Sequence, residues 1–241
     1  MKKVYFISDI HLGFGSKEEN VKRETRFIDF LDDIKHDCSD LYILGDLFDF
    51  WFEYRKVVPK GYFLTLAKLY EFKKSNIKIH YLVGNHDCLL KDYFEKEIGI
   101  TIYWKNIEAE ILGKKFFIHH GDGLSNNDTG YKILKRILRN KTNQYLFSLV
   151  HPDLGIFLGT YFSKKSRNYT SKKDYGEKDA LYLFAKKKIE AGFDFVILGH
   201  IHKLVMTNID SGTYINLGDW IKHYSYGSFD GVNFLLKQVT L

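Results

Sequence analysis

The stretch Val4-Tyr5-Phe6-Ile7-Ser8-Asp9-Ile10-His11 decides the fold of this chain. Its first four residues are apolar, and they predict a short buried strand that ends at Ser8 and Asp9. In open α/β sheets ligands bind beyond the carboxyl ends of the strands, so Asp9 and His11 are expected at a binding site. Alternate residues of an extended chain point to one side, which lets these two side chains face one ligand together.

An apolar strand followed by a polar cluster recurs four more times along the chain. The predicted strands are Leu41–Leu44, Ile77–Val83, Lys114–His119 and Phe195–Leu198, and the clusters that follow them are Gly45-Asp46, Gly84-Asn85-His86-Asp87, His120-Gly121-Asp122 and Gly199-His200-Ile201-His202. A lone Gly-Asp after a strand is usually a turn, but five clusters in this order make coincidence a poor explanation. Their carboxylates, imidazoles and amide oxygen together suit Mn, Fe or Zn, whereas pure oxygen sites suit Mg or Ca. The sequence therefore predicts a metal site where the strand ends converge.

Between the strands, the apolar periodicity predicts helices. The helical faces are Phe27, Phe30, Leu31 and Ile34, then Phe63, Leu66, Ala67 and Tyr70, and later Leu181, Phe184, Ala185 and Ile189. The first helix is preceded by capping-box spacing from Ser16 to Glu19. Beyond Leu204, turn signals at Asp210-Ser211-Gly212 and Asp230-Gly231 predict antiparallel strands. The alternation of strands and helices indicates the α/β class.

The composition limits the class of protein further. The chain has 241 residues, of which 45% are hydrophobic and 27% charged, so it can bury a sizeable core and is not globally disordered. It contains no apolar run of the roughly 18 residues that a membrane-spanning helix needs, and its first residues do not resemble a signal peptide. Cys38 and Cys88 do not form a disulfide framework. We therefore expect a cytoplasmic protein with one large domain.

The positive charge is concentrated in one segment. The formal net charge is +6, and residues 131–173 contain ten Lys or Arg but only one acid, Asp153. The same segment is rich in large apolar residues. We interpret it as a basic amphipathic helical insertion, which suggests phosphate-bearing partners such as nucleotides, nucleic acid or an anionic membrane surface. A solvated helix pair that only covers the core is the alternative.

The five clusters, in their order, resemble the motif set of the calcineurin-like metallophosphoesterase family over nearly the whole chain outside the insertion. The resemblance implies a four-layer α/β fold, with a β-sandwich flanked by helices. It implies one domain, 1–241, with a helical lid insertion at about 124–173. It also implies two divalent metal ions, most often Mn²⁺, with Fe or Zn possible. The ligands that it implies are Asp9, His11 and His202 for the first ion, Asn85, His120 and His200 for the second, and Asp46 for both.

Roles for the neighbouring residues follow from the same resemblance. His86 is expected to contact the phosphate or the leaving group, and Asp87 to orient its neighbours, so both are taken as catalytic residues. Asp122 either orients its neighbours or is a turn residue. The ions are expected to activate a water molecule for attack on phosphorus and to offset the developing charge.

Within the family, the chain resembles a branch that cleaves UDP-2,3-diacylglucosamine to UMP and 2,3-diacylglucosamine 1-phosphate in lipid A biosynthesis. Gly45 to Phe48, followed by Trp51, and the stretch 123–128 carry this resemblance. The implied substrate-binding residues are Asn85, His86, Asp128, Ser166, Thr170, Lys173 and His200. The chain departs from the branch where His86 replaces Arg and Asn127 replaces an acid. Basic side chains would hold the phosphates, and apolar helices the acyl chains.

Other functions are compatible with parts of this pattern. A soluble nucleotide or phosphodiester as substrate would need no apolar cleft, and a nuclease would need an open basic groove with salt-dependent binding. A scaffold that has lost catalysis should have lost ligands, yet all seven are present. We expect peripheral association with the inner membrane surface and no nucleic acid partner.

Overall fold

The computed structural model describes residues 2–124, 135–170 and 177–239, without the side chains of 165–170 and 177–179. Two sheets form its centre. The first has the order β11-β10-β1-β2-β3-β4, and the second has the order β5-β6-β7-β9-β8. The strands are β1 (Lys3–Ile7), β2 (Cys38–Ile43), β3 (Lys78–Leu82), β4 (Thr101–Tyr103), β5 (Ile107–Ile111), β6 (Lys114–Ile118), β7 (Phe195–Leu198), β8 (Leu204–Ile209), β9 (Gly212–Leu217), β10 (Ser225–Phe229) and β11 (Phe234–Gln238).

The strands that lead into the polar clusters are parallel. β1, β2, β3 and β4 pair in parallel, and so do β6, β7 and β9. Their carboxyl ends therefore lie at one edge of each sheet, which is where such sheets bind ligands. The predicted antiparallel strands after Leu204 are confirmed, because β8 pairs with β9 and β10 with β11 across the two predicted turns.

Three apolar layers hold the molecule together. Phe6, Tyr42 and Phe116 belong to the layer between the two sheets. Tyr5 and Ile7, which alternate with Phe6 along β1, belong to the layer between the first sheet and its helices. A third layer packs the second sheet against a helix. Because β1 is apolar on both faces, it reads as a continuous hydrophobic run. The four-layer arrangement predicted from the sequence is confirmed.

The helices that cover the sheets are α1 (Lys17–Ile34) and α2 (Phe63–Lys74) on the first sheet and α5 (Glu177–Glu190) on the second. The capping box of α1 is confirmed, since Ser16 and Glu19 each bond the other's backbone N–H. The buried side of α1 is also as predicted.

The predicted face of α2 is wrong at three of its four positions, since only Leu66 packs against the core. Phe63, Ala67 and Tyr70 are exposed, while Leu69 and Phe72 are buried together with Thr65. The rotation has a polar cause, because the Thr65 hydroxyl donates a hydrogen bond of 2.8 Å to Glu24 on α1. A buried carboxylate needs such a donor, so it holds Thr65 inward and turns Phe63 and Tyr70 out.

Two further helices lie in the segment 124–173, namely α3 (Lys141–Ser148) and α4 (Pro152–Thr170). The Asn140 side chain caps α3 by accepting from the backbone N–H groups of Thr142 and Asn143. Phe147 of α3 packs on Phe52 with ring centroids 4.8 Å apart. None of the described helices combines the length and the apolarity that crossing a bilayer demands.

Candidate metal centre

The structure brings all seven predicted metal ligands together at the strand ends. Two groups of donor atoms form there. In the first, His11 Nε2 and His202 Nε2 lie 3.3 Å apart, and Asp9 Oδ1 lies 3.6 Å from the former and 3.4 Å from the latter. Asp9 and His11 are completely buried. Three electron-donating atoms that converge at this spacing, one of them a carboxylate, form an arrangement suited to a divalent cation.

The second group centres on an amide. Asn85 Oδ1 lies 2.9 Å from His120 Nε2 and 3.0 Å from His200 Nδ1. An amide oxygen with two imidazole nitrogens is a mixed donor set of the kind that the sequence predicts. His120 is fully buried, and its other ring nitrogen contacts the carbonyl of Leu44 at 2.6 Å.

Asp46 lies between the two groups. Its Oδ2 is 3.7 Å from His11 Nε2 and 3.4 Å from His120 Nε2, so one oxygen approaches a ligand of each group. Its Oδ1 accepts the backbone N–H of His86 at 2.9 Å. A β carbon at Gly84 would collide with the Asp46 carboxylate, which explains the glycine at that position. The geometry is that of a shared ligand.

The backbone of the site is strained. Nine non-glycine residues have a positive φ in the part of the chain that the structure describes, and five of them are predicted ligands: Asp9 (56°), His11 (51°), Asp46 (55°), His200 (73°) and His202 (53°). Such conformations are costly for residues with a β carbon, and they persist where the surroundings fix them. The positive φ values therefore lower the local stability of the strand ends, but they direct the side chains toward the common site.

A buried carboxylate oxygen provides a test of whether a metal fits. No hydrogen-bond donor among the described residues reaches Asp9 Oδ1, although the residue is fully buried. Burial alone would raise the pKa of Asp9, but the contacts with His11 and His202 outweigh it and lower this pKa to about 2. Neutral imidazoles at 3.4 and 3.6 Å would leave this ionised oxygen without a hydrogen bond, which is costly, and a cation between the three atoms would remove that cost. The residues fit a divalent metal centre.

Two carboxylates that the sequence analysis missed lie behind the first group. Asp49 Oδ1 is 3.5 Å from His11 Nδ1, and Asp219 Oδ2 is 3.4 Å from His202 Nδ1. A carboxylate on the far nitrogen of a metal-binding imidazole fixes the ring and makes it a better ligand. The signal for Asp219 was present, because Gly218-Asp219 follows β9 just as Gly45-Asp46 follows β2.

His86 and Asp87 occupy different positions. His86 is half-buried at the edge of the centre, with its ring centroid 4.9 Å from that of His11. Asp87 is fully buried, and it accepts the backbone N–H of Gly84 at 2.8 Å, that of Leu47 at 2.9 Å and the Tyr81 hydroxyl. Burial and the charge of Asp46 raise the pKa of Asp87 to about 7. These contacts connect the loop that carries Asp46 with the loop that carries Asn85. Of the roles predicted for Asp87, they favour the orientation of its neighbours.

The remaining predicted residues lie around or beyond this centre. Asp122 is buried and pairs with Lys135, which favours an orienting role over that of a turn residue. Of the predicted substrate-binding residues, Asn85, His86 and His200 are at the centre. Asp128 and Lys173 lie outside the described residues. Ser166 and Thr170 belong to α4, but their side chains are outside the description.

A family model named calcineurin-like phosphoesterase matches residues 2–204, which include all seven predicted ligands. This chain belongs to that family. A protein of Porphyromonas gingivalis named UDP-2,3-diacylglucosamine hydrolase is 36% identical over 255 residues, covering 98% of this chain and 97% of that protein. A protein of the same name from Haemophilus influenzae is 30% identical, covering 93% of each chain.

One solved structure agrees on the fold. A structure described as a novel archaeal phosphodiesterase is 18% identical and matches with a TM-score of 0.50, covering 98% of this chain and 99% of the other. Calcineurin-like phosphoesterases use divalent metal ions, and the strand-end cluster supplies candidate ligands for them. The chain is thus a metal-dependent hydrolase of this family.

Proposed function

We propose that the chain hydrolyses the pyrophosphate bond of UDP-2,3-diacylglucosamine and releases UMP and 2,3-diacylglucosamine 1-phosphate, a step of lipid A biosynthesis. The observation that carries this proposal is the near-full-length similarity to relatives named for this substrate. The convergence of the seven donor side chains supports it, because a relative that had changed its chemistry would be free to lose them.

We propose two divalent ions, most often Mn²⁺ in this family, held by Asp9, His11 and His202 and by Asn85, His120 and His200, with Asp46 shared. When bound, the ions activate water and neutralise the charge that develops on the phosphoryl oxygens. The chain itself orients the ligands: Asp49 and Asp219 hold the rings of His11 and His202, and Asp87 ties the loop of Asn85 to that of Asp46.

His86 is the side chain that we propose to contact the phosphate or the leaving group. It lies beside Asn85, one of its ring nitrogens is within 4.8 Å of donor atoms of His11 and Asp46, and its side chain is 15% exposed. A positively charged or hydrogen-bonding group at this position lowers the barrier because it stabilises charge that is larger in the transition state. It can take the part of the Arg found in that branch when its ring is doubly protonated, since the imidazolium, like a guanidinium, is positively charged and donates hydrogen bonds.

The segment 124–173 is proposed to act as a lid for the acyl chains. Apolar side chains of α3 and α4 face outward, with Leu146 56% and Phe157 62% exposed. Burial of acyl chains against such residues gains about 0.8 kcal/mol per methylene. We propose that Asp128, Ser166, Thr170 and Lys173 contact the sugar and phosphates there.

The same segment supports peripheral attachment of a cytoplasmic protein to the inner membrane. Exposed apolar side chains rimmed by Lys and Arg are typical of surfaces that meet lipid. Each basic residue near an anionic leaflet contributes about 1 kcal/mol.

The decisive experiment compares UMP release from UDP-2,3-diacylglucosamine and from UDP-N-acetylglucosamine, both with purified protein and added Mn²⁺. Because only the first substrate carries long acyl chains, we expect it to be cleaved selectively. Equal turnover of both, or cleavage of a soluble phosphodiester alone, would contradict the proposed substrate and leave a phosphoesterase of another specificity. A repeat without added metal tests the ion requirement separately.

A further inference from the structure

Helix α4 has two dissimilar faces. Leu154, Phe157 and Tyr161 point outward and are all more than half exposed. Gly155, Gly159 and Ser163, spaced four residues apart, share the opposite face. We call Gly155, Gly159 and Ser163 the docking face.

The docking face lies close to the loop that follows β2. A β carbon at Gly155 would collide with the Tyr54 hydroxyl, and one at Gly159 would enter the Phe50 ring. The two glycines therefore let the helix backbone approach the loop more closely than any other residue would allow. As a consequence, Ser163, the third residue of the docking face, lies at the edge of the metal centre.

Ser163 contacts two residues of the centre. Its Oγ lies 2.9 Å from His86 Nδ1, 3.0 Å from Asp49 Oδ2 and 3.1 Å from the Asp49 carbonyl oxygen. His86 Nδ1 is itself 3.0 Å from that carbonyl oxygen. A carbonyl can only accept, so we assign the proton to Nδ1, and the Ser163 hydroxyl donates to the Asp49 carboxylate.

These contacts differ from those usual for a helical hydroxyl. Thr160 on the same helix donates to the carbonyl oxygens of Ile156 and Phe157, within its own turn. Ser163 instead reaches residues of the ligand loops. We propose that Ser163 is a positioning residue. Together with Asp49, it holds the ring of His86 in the orientation in which the ring can contact the phosphate or the leaving group. Helix α4 is then a structural part of the catalytic centre as well as a cover for the acyl chains.

The inference rests on the proposed function insofar as His86 acts on the substrate. Its first test is the pair Ser163→Ala and Ser163→Thr, assayed for UMP release. We expect Ser163→Ala to lower kcat about tenfold with KM changed less than about twofold, since loss of an orienting contact acts on the reacting geometry. Ser163→Thr keeps the hydroxyl and should retain most of the activity. Ser148→Ala is the matched control, because that hydroxyl donates to Tyr145 of its own helix.

A double-mutant cycle separates positioning from support of the fold. If Ser163 acts through His86, Ser163→Ala should cost less than about twofold once His86→Ala is already present. The same loss in both backgrounds would overturn the inference, and so would a Ser163→Thr variant that is as impaired as Ser163→Ala.

A second readout needs neither metal nor substrate. In metal-free protein labelled with ¹⁵N-histidine, the ring signals of His86, assigned with His86→Ala, should shift in Ser163→Ala and return in Ser163→Thr. Unchanged signals in Ser163→Ala would contradict the inference. Failure of the proposed function gives a different result, because the wild type would then show no selective release of UMP. In that case the ring signals, and the double-mutant cycle assayed with a chromogenic phosphodiester, still decide the role of Ser163.

Discussion

The strand-end cluster buries polar groups, whereas the outward face of α4 exposes apolar ones, and both arrangements are unusual in globular proteins. The cluster buries ionised and polar groups, such as Asp9 and Asp46, on strained backbone. The outward face exposes Leu154, Phe157 and Tyr161 to solvent. Each carries a cost that the folded chain alone does not remove, and the proposed ligand that would remove it differs: a cation for the cluster and an apolar group for the outward face. The comparison teaches that the two regions need different partners, which we propose to be metal ions for the cluster and the acyl chains of the substrate for the outward face.

The largest expected effect comes from breaking the cluster at its shared ligand. Asp46→Asn removes the carboxylate whose Oδ2 lies within 3.7 Å of a ligand of each donor group, so we expect hydrolysis to fall by roughly a thousandfold or more and bound metal to be lost. Metal content and activity are measured together. Asp40→Asn, at the other end of β2, is the control, and its values should match the wild type. Retained activity in Asp46→Asn would refute the metal assignment.

The next largest effect tests whether metal binding depends on the carboxylate that contacts the far ring nitrogen of a histidine ligand. Asp219→Asn weakens the contact with His202 but leaves an oxygen to accept the backbone N–H groups of Ile221 and Lys222. We expect metal affinity, measured by calorimetric titration, to fall by about ten- to a hundredfold. Asp230→Asn is matched, because Asp230 also accepts backbone N–H groups in a turn but contacts no histidine among the described residues. Equal affinities in both variants would show that Asp219 only caps its turn.

A smaller and selective effect should come from the outward face. The triple variant Leu154→Ser, Phe157→Ser and Tyr161→Ser should raise KM for the diacylated substrate about tenfold, because apolar contact area is lost. Hydrolysis of a chromogenic phosphodiester should be unchanged, and so should stability, since all three side chains are exposed.

The control for this prediction uses an equally exposed apolar set on another helix. Phe63, Leu64 and Tyr70 of α2 are exposed, and their replacement by Ser should leave both substrates unaffected. If the α4 variant impairs both substrates equally, the outward face is a structural cover and not an acyl-binding surface.

The smallest effect lies at the opposite end of the first sheet. Asp37 accepts hydrogen bonds from Lys3 at 2.6 Å and from the Tyr5 hydroxyl at 2.8 Å. Burial acts to raise the pKa of Asp37, but these bonds lower it overall. Asp37→Asn should reduce the free energy of unfolding by about 1 kcal/mol at neutral pH and leave activity unchanged.

The pH dependence of this effect has a fixed sign. A depressed carboxyl pKa stabilises the folded state above the unfolded pKa of about 3.9, and the stabilisation is lost as pH falls through the folded value. Urea unfolding should therefore show a difference between wild type and Asp37→Asn at pH 7 and pH 5 that shrinks below pH 4. A difference that grows on acidification would contradict the sign.

The sequence was most informative where apolar runs end abruptly. Asp9, Asp46 and His120 could be placed because buried parallel strands have a continuous apolar signal and ligands collect at their ends. The strand β4 was not predicted, since three residues carry no clear period, and β5 was missed although its sequence Ile-Glu-Ala-Glu-Ile alternates between apolar and charged residues. The face of α2 was predicted wrongly because hydrophobic periodicity ignores the hydrogen bond between Thr65 and Glu24.

The supporting side chains were harder to find than the ligands. Asp49 sits within an aromatic loop, and only the folded loop brings its carboxylate to His11 and Ser163. Ser163 lies in a run of helical residues where nothing local sets it apart. Contacts between residues more than a hundred positions apart depend on tertiary packing, which local pattern does not encode.

The position of β1 has a consequence for synthesis of the chain. β1 lies between β2 and β10, and Val4 faces Phe229 in the register of that pair. A ribosome that makes the chain from its N-terminus exposes one side of this apolar strand until residues 225–229 have emerged. His202 and Asp219 are made only shortly before. The nascent chain thus carries an open strand edge, a known route to aggregation, for most of its synthesis. Capture of metal by all seven proposed ligands is then a late event, because it has to wait for His200 and His202.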